Sequence, residues 1–296
     1  MYGKIPSNSI YLIDTAERID AFMPITAERR NELDKLCLKF RRKLIDVLHA
    51  KQTGHPGGSL SVCEIAVSLY FHQATVNPSD PKDPSRDRIV LSKGHAAPML
   101  YLALAEKGFF PYEEIDTLRD FETRLQGHPS SKDTPGVELS TGPLGLGLSA
   151  SLGMALALRL DGRAARVYAI LGDGELNEGT VWEAAMAAVK FKADNLTAIV
   201  DWNGVQLDGK TEDIMPVGDI GAKFASFGWH CLECDGHDIA ALCEAYDKAA
   251  SVKGTPSVVL AHTVKGKGVS FMEGQSKWHG NPISDDDYRT AMSELA

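Results

Sequence analysis

Apolar and polar positions alternate along this chain with two periods. From Thr26, "TAERRNELDKLCLKFRRKLIDVLHA" places Leu33, Leu36, Leu44 and Leu48 near helical spacing, and Thr26, with Glu28 just behind it, reads as an N-cap. A glycine-rich loop, "KQTGHPGGS", follows, then a second helix, "LSVCEIAVSLYFHQ", and a proline-rich surface loop, "VNPSDPKDPSRDR". "IVLS" is a short buried strand and "KGHAAPMLYLALAEKG" a loop entering a helix. The stretch from His128 to Ser149 reads as a long loop, and the alanine-rich "ASLGMALALRL" as a buried helix. Beyond Gly162 the order becomes regular: strand "RVYAILG", helix "TVWEAAMAAVKF", strand "LTAIVD", helix near "VGDIGAKFASFG", strand "WHCLEC", helix "DIAALCEAYDKAA", strand "SVVLAHT". Apolar strands alternating with helices predict an α/β fold, a parallel sheet with helices on both faces. Residues 1–25 are weakly periodic and read as an N-terminal arm, and no composition break divides 26–296, so one domain is expected there.

Composition narrows the classes of function. A chain of 296 residues, 44% hydrophobic, can bury a full core. A net charge of −9 argues against nucleic acid or an anionic membrane as partner. Five cysteines without framework spacing fit a reduced, intracellular protein. Cys231 and Cys234 form a C-x-x-C, but in a strand an i, i+3 pair points to opposite faces, which argues against a zinc or redox role. The N-terminus lacks a basic segment followed by an apolar run, and no apolar stretch approaches the ~20 residues that span a bilayer. The expectation is a cytoplasmic protein with no membrane partner.

The densest chemistry lies in "LGDGELNEG", Leu171–Gly179, between a strand and a helix. Ligands of open parallel sheets bind at the carboxyl ends of strands, which is where this loop falls. A calcium EF-hand starting at Asp173 would need Gly and Glu where Glu178 and Ala184 stand, and the glycine spacing is not that of a dinucleotide fingerprint. The surviving reading is a divalent cation bridging a diphosphate to the protein. Asp173 supplies a carboxylate, Gly172 and Gly174 let the backbone approach, and the neighbouring strand end offers the Asn203 amide oxygen and the Val205 carbonyl.

G-D-G followed about thirty residues later by a strand ending in Asn resembles the thiamine diphosphate-binding signature. In order, "TGHPGGSLSVCEIAVSLYF", "DRIVLSKGHAAPMLYLAL", "LQGHPS", "STGPLGLGLSASLGMALA", "GDGELNEGTVWEAA", "DWNGVQLDG", "FGWHCLECDGHD" and "KGKGVSFMEGQSKWHGNPI" resemble the N-terminal half of transketolase. The resemblance implies transfer of a two-carbon ketol unit from a ketose (phosphate) donor to an aldose (phosphate) acceptor, with thiamine diphosphate and Mg²⁺ (or Ca²⁺ or Mn²⁺). It implies Asp173, Asn203 and Val205 as metal ligands, and Gly174 and Asn203 as diphosphate contacts. Gly142, Pro143 and Leu144 would line the middle of the cofactor, and Lys265 matches a cofactor-contacting lysine of the mammalian-like branch.

Four loop histidines fall on the family's active-site positions. His55, His128 and His279 are expected to hold and deprotonate the sugar, with His95 nearer the diphosphate. The other five (His49, His72, His230, His237, His262) are read as structural or surface residues. Glu178 is either a first-turn acid favouring the helix dipole or, as the resemblance implies, part of a chain of acids between two cofactors at a dimer interface. The pyrimidine-binding half, with its activating glutamate, has no counterpart in the 296 residues. The expectation is therefore a split enzyme in which a separate C-terminal subunit supplies that half, as an α2β2 assembly. Two other readings stand beside it: an α-type subunit of a 2-oxo acid dehydrogenase or of a 1-deoxyxylulose 5-phosphate synthase-like enzyme, and a non-catalytic cofactor-binding subunit.

Overall fold

A computed structural model describes residues 25–296; the arm expected over 1–25 lies almost wholly outside them. Five strands form one parallel sheet: β1 Arg88–Leu91, β2 Val167–Gly172, β3 Leu196–Trp202, β4 His230–Asp235 and β5 Ser257–His262, in the order β1-β2-β3-β5-β4. Around it run α1 Ala27–Lys51, α2 Pro56–Ser61, α3 Cys63–Ser68, α4 Ala97–Lys107, α5 Leu146–Leu160, α6 Gly179–Lys190, α7 Thr211–Ile214, α8 Ile220–Phe227, α9 Ile239–Ser251 and α10 Asp285–Glu294.

The period-2 alternation of the strands divides the interior into two cores. Tyr168, Ile170, Ile199 and Val259 face a core filled by α1, α3, α4 and α9, with Phe40, Leu44 and Leu48 of α1 fully or almost fully buried. Val167, Ala169, Leu171, Ala198 and Val200 face the other, packed by α5, α6 and α8. Cys231 sits against the second core and Cys234 against the first, so the C-x-x-C does straddle the sheet. Apolar burial on both faces is what selects a parallel sheet, because both of its sides need a cover of helices. Among the described residues, no helix is long and apolar enough to cross a membrane.

Local chemistry explains most boundaries and several departures from expectation. Thr26 caps α1, its hydroxyl accepting from the Arg29 N–H at 3.2 Å. The loop expected over "KQTGHPGGS" is instead helical from Pro56, with proline at the first helical position. Gly57 and Gly58 stay in that helix because of packing. A Cβ on Gly57 would lie 2.9 Å from the Trp278 carbonyl, and one on Gly58 would lie 3.2 Å from the His95 ring. The single helix expected over "LSVCEIAVSLYFHQ" breaks at Val62 and ends in a π-turn, Leu69–Gln73. Ser61 and Ser68 flank these irregularities. The Ser68 hydroxyl donates to the Glu64 carbonyl at 2.7 Å, competing with the backbone ladder, while that of Ser61 lies 3.2 Å from the Gly58 carbonyl. Helix α5 starts at Leu146, earlier than its alanine run suggested, directly after Gly145 in the left-handed region (φ 85°). Helix α10 was not anticipated, although Ser284 and Asp287 form a capping box at its start.

Candidate functional site

The four loop histidines, Asp173, Asn203 and Lys265 lie together beyond the carboxyl-terminal ends of the strands. His55 precedes α2, His95 lies in the turn after β1, His128 in the loop before Gly142, and His279 in the turn before α10. Although up to 224 residues apart in sequence, their rings cluster. Centroids lie 5.5 Å apart for His55–His95, 5.9 Å for His55–His128, 5.4 Å for His55–His279 and 4.9 Å for His95–His279. Burial pushes all four down from the ordinary histidine value, and nearby cations add to it. His55 falls to about 4, aided by Arg119, His128 and Lys265, and His279 to about 3, aided by Lys265, His55 and Lys93. His95 is lowered by burial and Lys93, and His128 by burial and Arg119. Near pH 7 the cluster is thus a set of neutral imidazoles, each with one donor and one acceptor to offer. His55 Nδ1 is buried without a partner.

Beside the cluster, Asp173 directly follows β2 and Asn203 directly follows β3, which are adjacent parallel strands. The buried Asp173 carboxylate accepts at Oδ2 from the Gly204 N–H (2.8 Å) and the Thr211 hydroxyl (3.0 Å). Burial and the neighbouring Asp201 push its pKa up, and among the described residues no cation lies within salt-bridge distance of it. Asn203 Oδ1 accepts from the Val205 N–H at 3.1 Å. The Val205 carbonyl is not free: the Lys265 ammonium donates to it at 3.0 Å and to the Gln206 carbonyl at 3.2 Å, and touches His279 Nδ1 at 3.1 Å. Burial and Lys93 lower Lys265 to about 8. A carboxylate, an amide oxygen and a carbonyl are hard donors of the kind Mg²⁺, Ca²⁺ and Mn²⁺ prefer. Gln206 Nε2, another buried atom without a partner, lies beside Gly174, where a Cβ would come within 2.9 Å of the Gln206 side chain. The rim therefore has the donor set, an orphan amide and the backbone access that a metal-bridged diphosphate requires.

Gly142, Pro143 and Leu144 lie between His128 and α5, with the Gly142 backbone against the His128 ring. Glu178 is exposed at the N-cap of α6, accepts no capping hydrogen bond, and packs its side-chain stem on Gly145.

Two groups under the site, the Lys93–Asp201 pair and Glu175, escaped sequence reasoning. Lys93, after β1, and Asp201, on β3, form a fully desolvated ion pair. Asp201 also accepts from Ser61 (2.6 Å) and Thr263, and Lys93 donates to the Gly58 carbonyl at 3.2 Å. Burial alone would raise Asp201, but Lys93 and these donors outweigh it and hold the carboxyl below its usual range. Glu175 points inward and joins three segments, accepting from Ser92 and from the Gly145 (2.8 Å) and Gly172 (3.0 Å) N–H groups. Its pKa is raised by burial. His237, read as structural, accepts at Nε2 from the Val264 N–H (2.8 Å) and meets Glu64 through Nδ1 (2.9 Å). It thereby fixes the residue preceding Lys265.

Residues 33–296 match the family described as transketolase, thiamine diphosphate binding domain. The chain is 41% identical over 269 residues to the 6-deoxy-6-sulfo-D-fructose transketolase subunit of a Clostridium strain, covering 91% of this chain and 98% of that one. It is 40% identical to one subunit of the apulose-4-phosphate transketolase of Phocaeicola vulgatus, covering 87% and 92% respectively. Among solved structures, the transketolase of Pichia stipitis aligns with a TM-score of 0.85 at 34% identity, over 89% of this chain but only 40% of that one. Against that structure this chain spans about two fifths of the length. The chain belongs to the transketolase family, where it corresponds to the N-terminal, thiamine diphosphate-binding part.

Proposed function

We propose that this chain is the diphosphate-binding subunit of a two-chain transketolase. A second chain supplies the pyrimidine-binding half, and the two form an α2β2 assembly that transfers a two-carbon ketol unit from a ketose to an aldose. The observation that carries the reading is the cluster of four neutral imidazoles beside Asp173 and Asn203 on one rim of the sheet. Near-complete coverage of relatives that are themselves named subunits supports the split arrangement. Both of those names carry a sugar with an anionic end, a sulfonate or a phosphate, and a substrate of that class is proposed here too.

In this reading Asp173, Asn203 and the Val205 carbonyl hold Mg²⁺ or a similar hard cation. Gly174, Gln206 and Asn203 meet the diphosphate, Lys265 and His95 add donors, and Gly142–Leu144 line the middle of the cofactor. When bound, thiamine diphosphate supplies the carbanion-stabilising chemistry that C–C cleavage requires. His55, His128 and His279 bind the sugar hydroxyls. Their depressed pKa values leave each with an unprotonated ring nitrogen near pH 7, able to accept a hydroxyl proton. Glu178, exposed at its helix terminus, is available to a partner chain. The cysteines of the described residues are free thiols, in keeping with a cytoplasmic setting.

The test is co-purification with the product of the neighbouring reading frame, followed by a ketol-transfer assay with thiamine diphosphate and Mg²⁺. The expected result is transfer by the complex and none by this chain alone. Full turnover by the isolated chain would refute the split site. Decarboxylation of a 2-oxo acid in place of transfer would favour the dehydrogenase reading, and an inactive complex the non-catalytic one.

A further inference from the structure

The loop that carries His128 is tied down in an unusual way. Arg119, which opens it, has a left-handed backbone (φ 61°), as does Glu122 three residues later. Non-glycine residues in that region cost roughly 1–3 kcal/mol and persist where surrounding contacts fix them. Here the contacts are visible. The Arg119 N–H donates to the Leu125 carbonyl at 2.9 Å, closing the loop, and the Thr117 and Thr123 hydroxyls meet at 2.7 Å. Asp120 pairs with Lys51 at 2.6 Å, and the Tyr101 hydroxyl donates to the Gln126 carbonyl at 2.9 Å.

The backbone conformation sends the Arg119 side chain inward, between two histidine loops. Its Nη1 donates to the Thr53 hydroxyl at 2.8 Å, two residues before His55. Its guanidinium also lies flat against Gly127, one residue before His128, so closely that a Cβ there would stand 2.8 Å from Nη2 and 2.9 Å from Cζ. Its Nε is buried without a partner. One fork therefore spans the segments that present His55 and His128, whose rings lie 5.9 Å apart.

We propose that Arg119 is a positioning residue for the substrate-facing histidines, a clamp that joins the His55 segment to the His128 segment through Thr53 and Gly127. The clamp rests on the reading of His55 and His128 as substrate-facing groups. A fixed cation at this point also supports a chemical role. Arg119 is the leading charge that lowers both His55 and His128, ahead of His128 and Lys265 at His55. The rings of His95 and His279, which also border His55, are lowered by Lys93 and Lys265 and not by Arg119. Burial is the larger cause of the lowering at both rings, and the clamp adds a fixed charge that acts on two of the four imidazoles.

The experiment is an NMR pH titration of the full chain carrying labelled histidine, without cofactor or substrate. Removing a unit charge several ångströms away across a partly hydrated site should move a titration by about half a unit or more. In Arg119→Gln, His55 and His128 should titrate higher by that amount, while His95 and His279 stay in place. Arg119→Lys, which keeps the charge but not the fork, should restore the His55 and His128 midpoints without restoring their line positions. Unchanged midpoints for His55 and His128, or an equal shift of all four rings, would overturn the clamp. If Arg119→Gln does not fold, Gly127→Ala serves, because its methyl must displace the guanidinium. It should move the His128 signals and leave those of His95 alone, and an unmoved His128 would overturn the proposal. These readouts need no turnover, so they can fail while ketol transfer stands, and the reverse.

Discussion

Replacing Asp201 with Asn should destabilise this chain more than almost any other single-atom-scale change. The carboxylate is fully buried and its partner Lys93 is 1% exposed, so no water waits to solvate an ammonium left without its counter-charge. Asparagine keeps the volume but has one acceptor oxygen where aspartate has two, so it can go on accepting from either Ser61 or Thr263 while its NH2 group faces the other, and the larger part of the perturbation is the lost charge. Breaking a buried pair from one side costs about 3–5 kcal/mol, because the surviving ion remains desolvated. With a urea m-value of about 3 kcal/mol/M, reasonable for a chain larger than the usual small domains, the unfolding midpoint should fall by about 1 M or more. The assay is urea unfolding of the chain without metal or cofactor, followed by circular dichroism and by tryptophan fluorescence so that coincident transitions can be verified. Lys93→Met combined with Asp201→Asn removes the stranded charge and should recover a substantial part of the loss. The pH dependence has a fixed sign. Because the folded carboxyl is held below its unfolded value, the pair contributes fully above about pH 4 and its contribution is lost as pH falls through the lower folded value. The gap between wild type and Asp201→Asn should accordingly be constant from pH 6 to 8 and close only in strong acid. A midpoint shift under about 0.3 M, or a double variant no more stable than Asp201→Asn, would refute the reasoning.

Thiamine diphosphate with Mg²⁺ at a hundredfold excess over its dissociation constant should stabilise the complex by about 2.7 kcal/mol, and Asp173→Asn should abolish that gain in a thermal-shift measurement while leaving the unliganded melt in place. His55 and His279 have folded pKa values of about 4 and 3, below the unfolded histidine value, so the unfolded chain takes up their protons first and stability should fall as pH drops below about 6.5. His55→Gln should flatten that slope in denaturation midpoints measured from pH 7 to pH 5. Ser284→Ala removes one half of the α10 capping box and should cost about 1 kcal/mol, read as a shift in urea midpoint.

The order of strands and helices was legible because each strand is a short apolar run and each buried face needs a cover. The Asp173 loop was legible for a related reason, since a strand-to-helix turn rich in glycine and acid falls at the end of a parallel strand. The histidines are different. Nothing in the spacing of His55, His95, His128 and His279 says that they meet, and only likeness to a family placed them together in advance. Lys93 and Asp201 went unremarked because each stands at the end of an apolar strand, where a charge usually marks the return to solvent. The signal was present in "IVDW", an acid flanked on both sides by apolar residues inside a sheet that must be covered on both faces. Glu175 was one acid among three in its loop, and only the turn after Asp173 aims it inward. The helical Pro56–Gly58 segment misled for another reason. Glycine there answers to Trp278 and His95, which are distant in sequence, and not to a local turn.

The two cysteines of β4 give the two sides of the sheet's edge separate chemical markers. Cys231 and Cys234 sit three residues apart on the last strand in the order, yet each thiol is packed against a different core. Both thiols are part-buried, and burial holds them above their ordinary pKa, Cys234 at about 12, so little of either is thiolate at neutral pH. A thiol reagent would therefore attack both slowly, and its adduct on Cys231 or on Cys234 would mark the α8 side or the α9 side of the same strand.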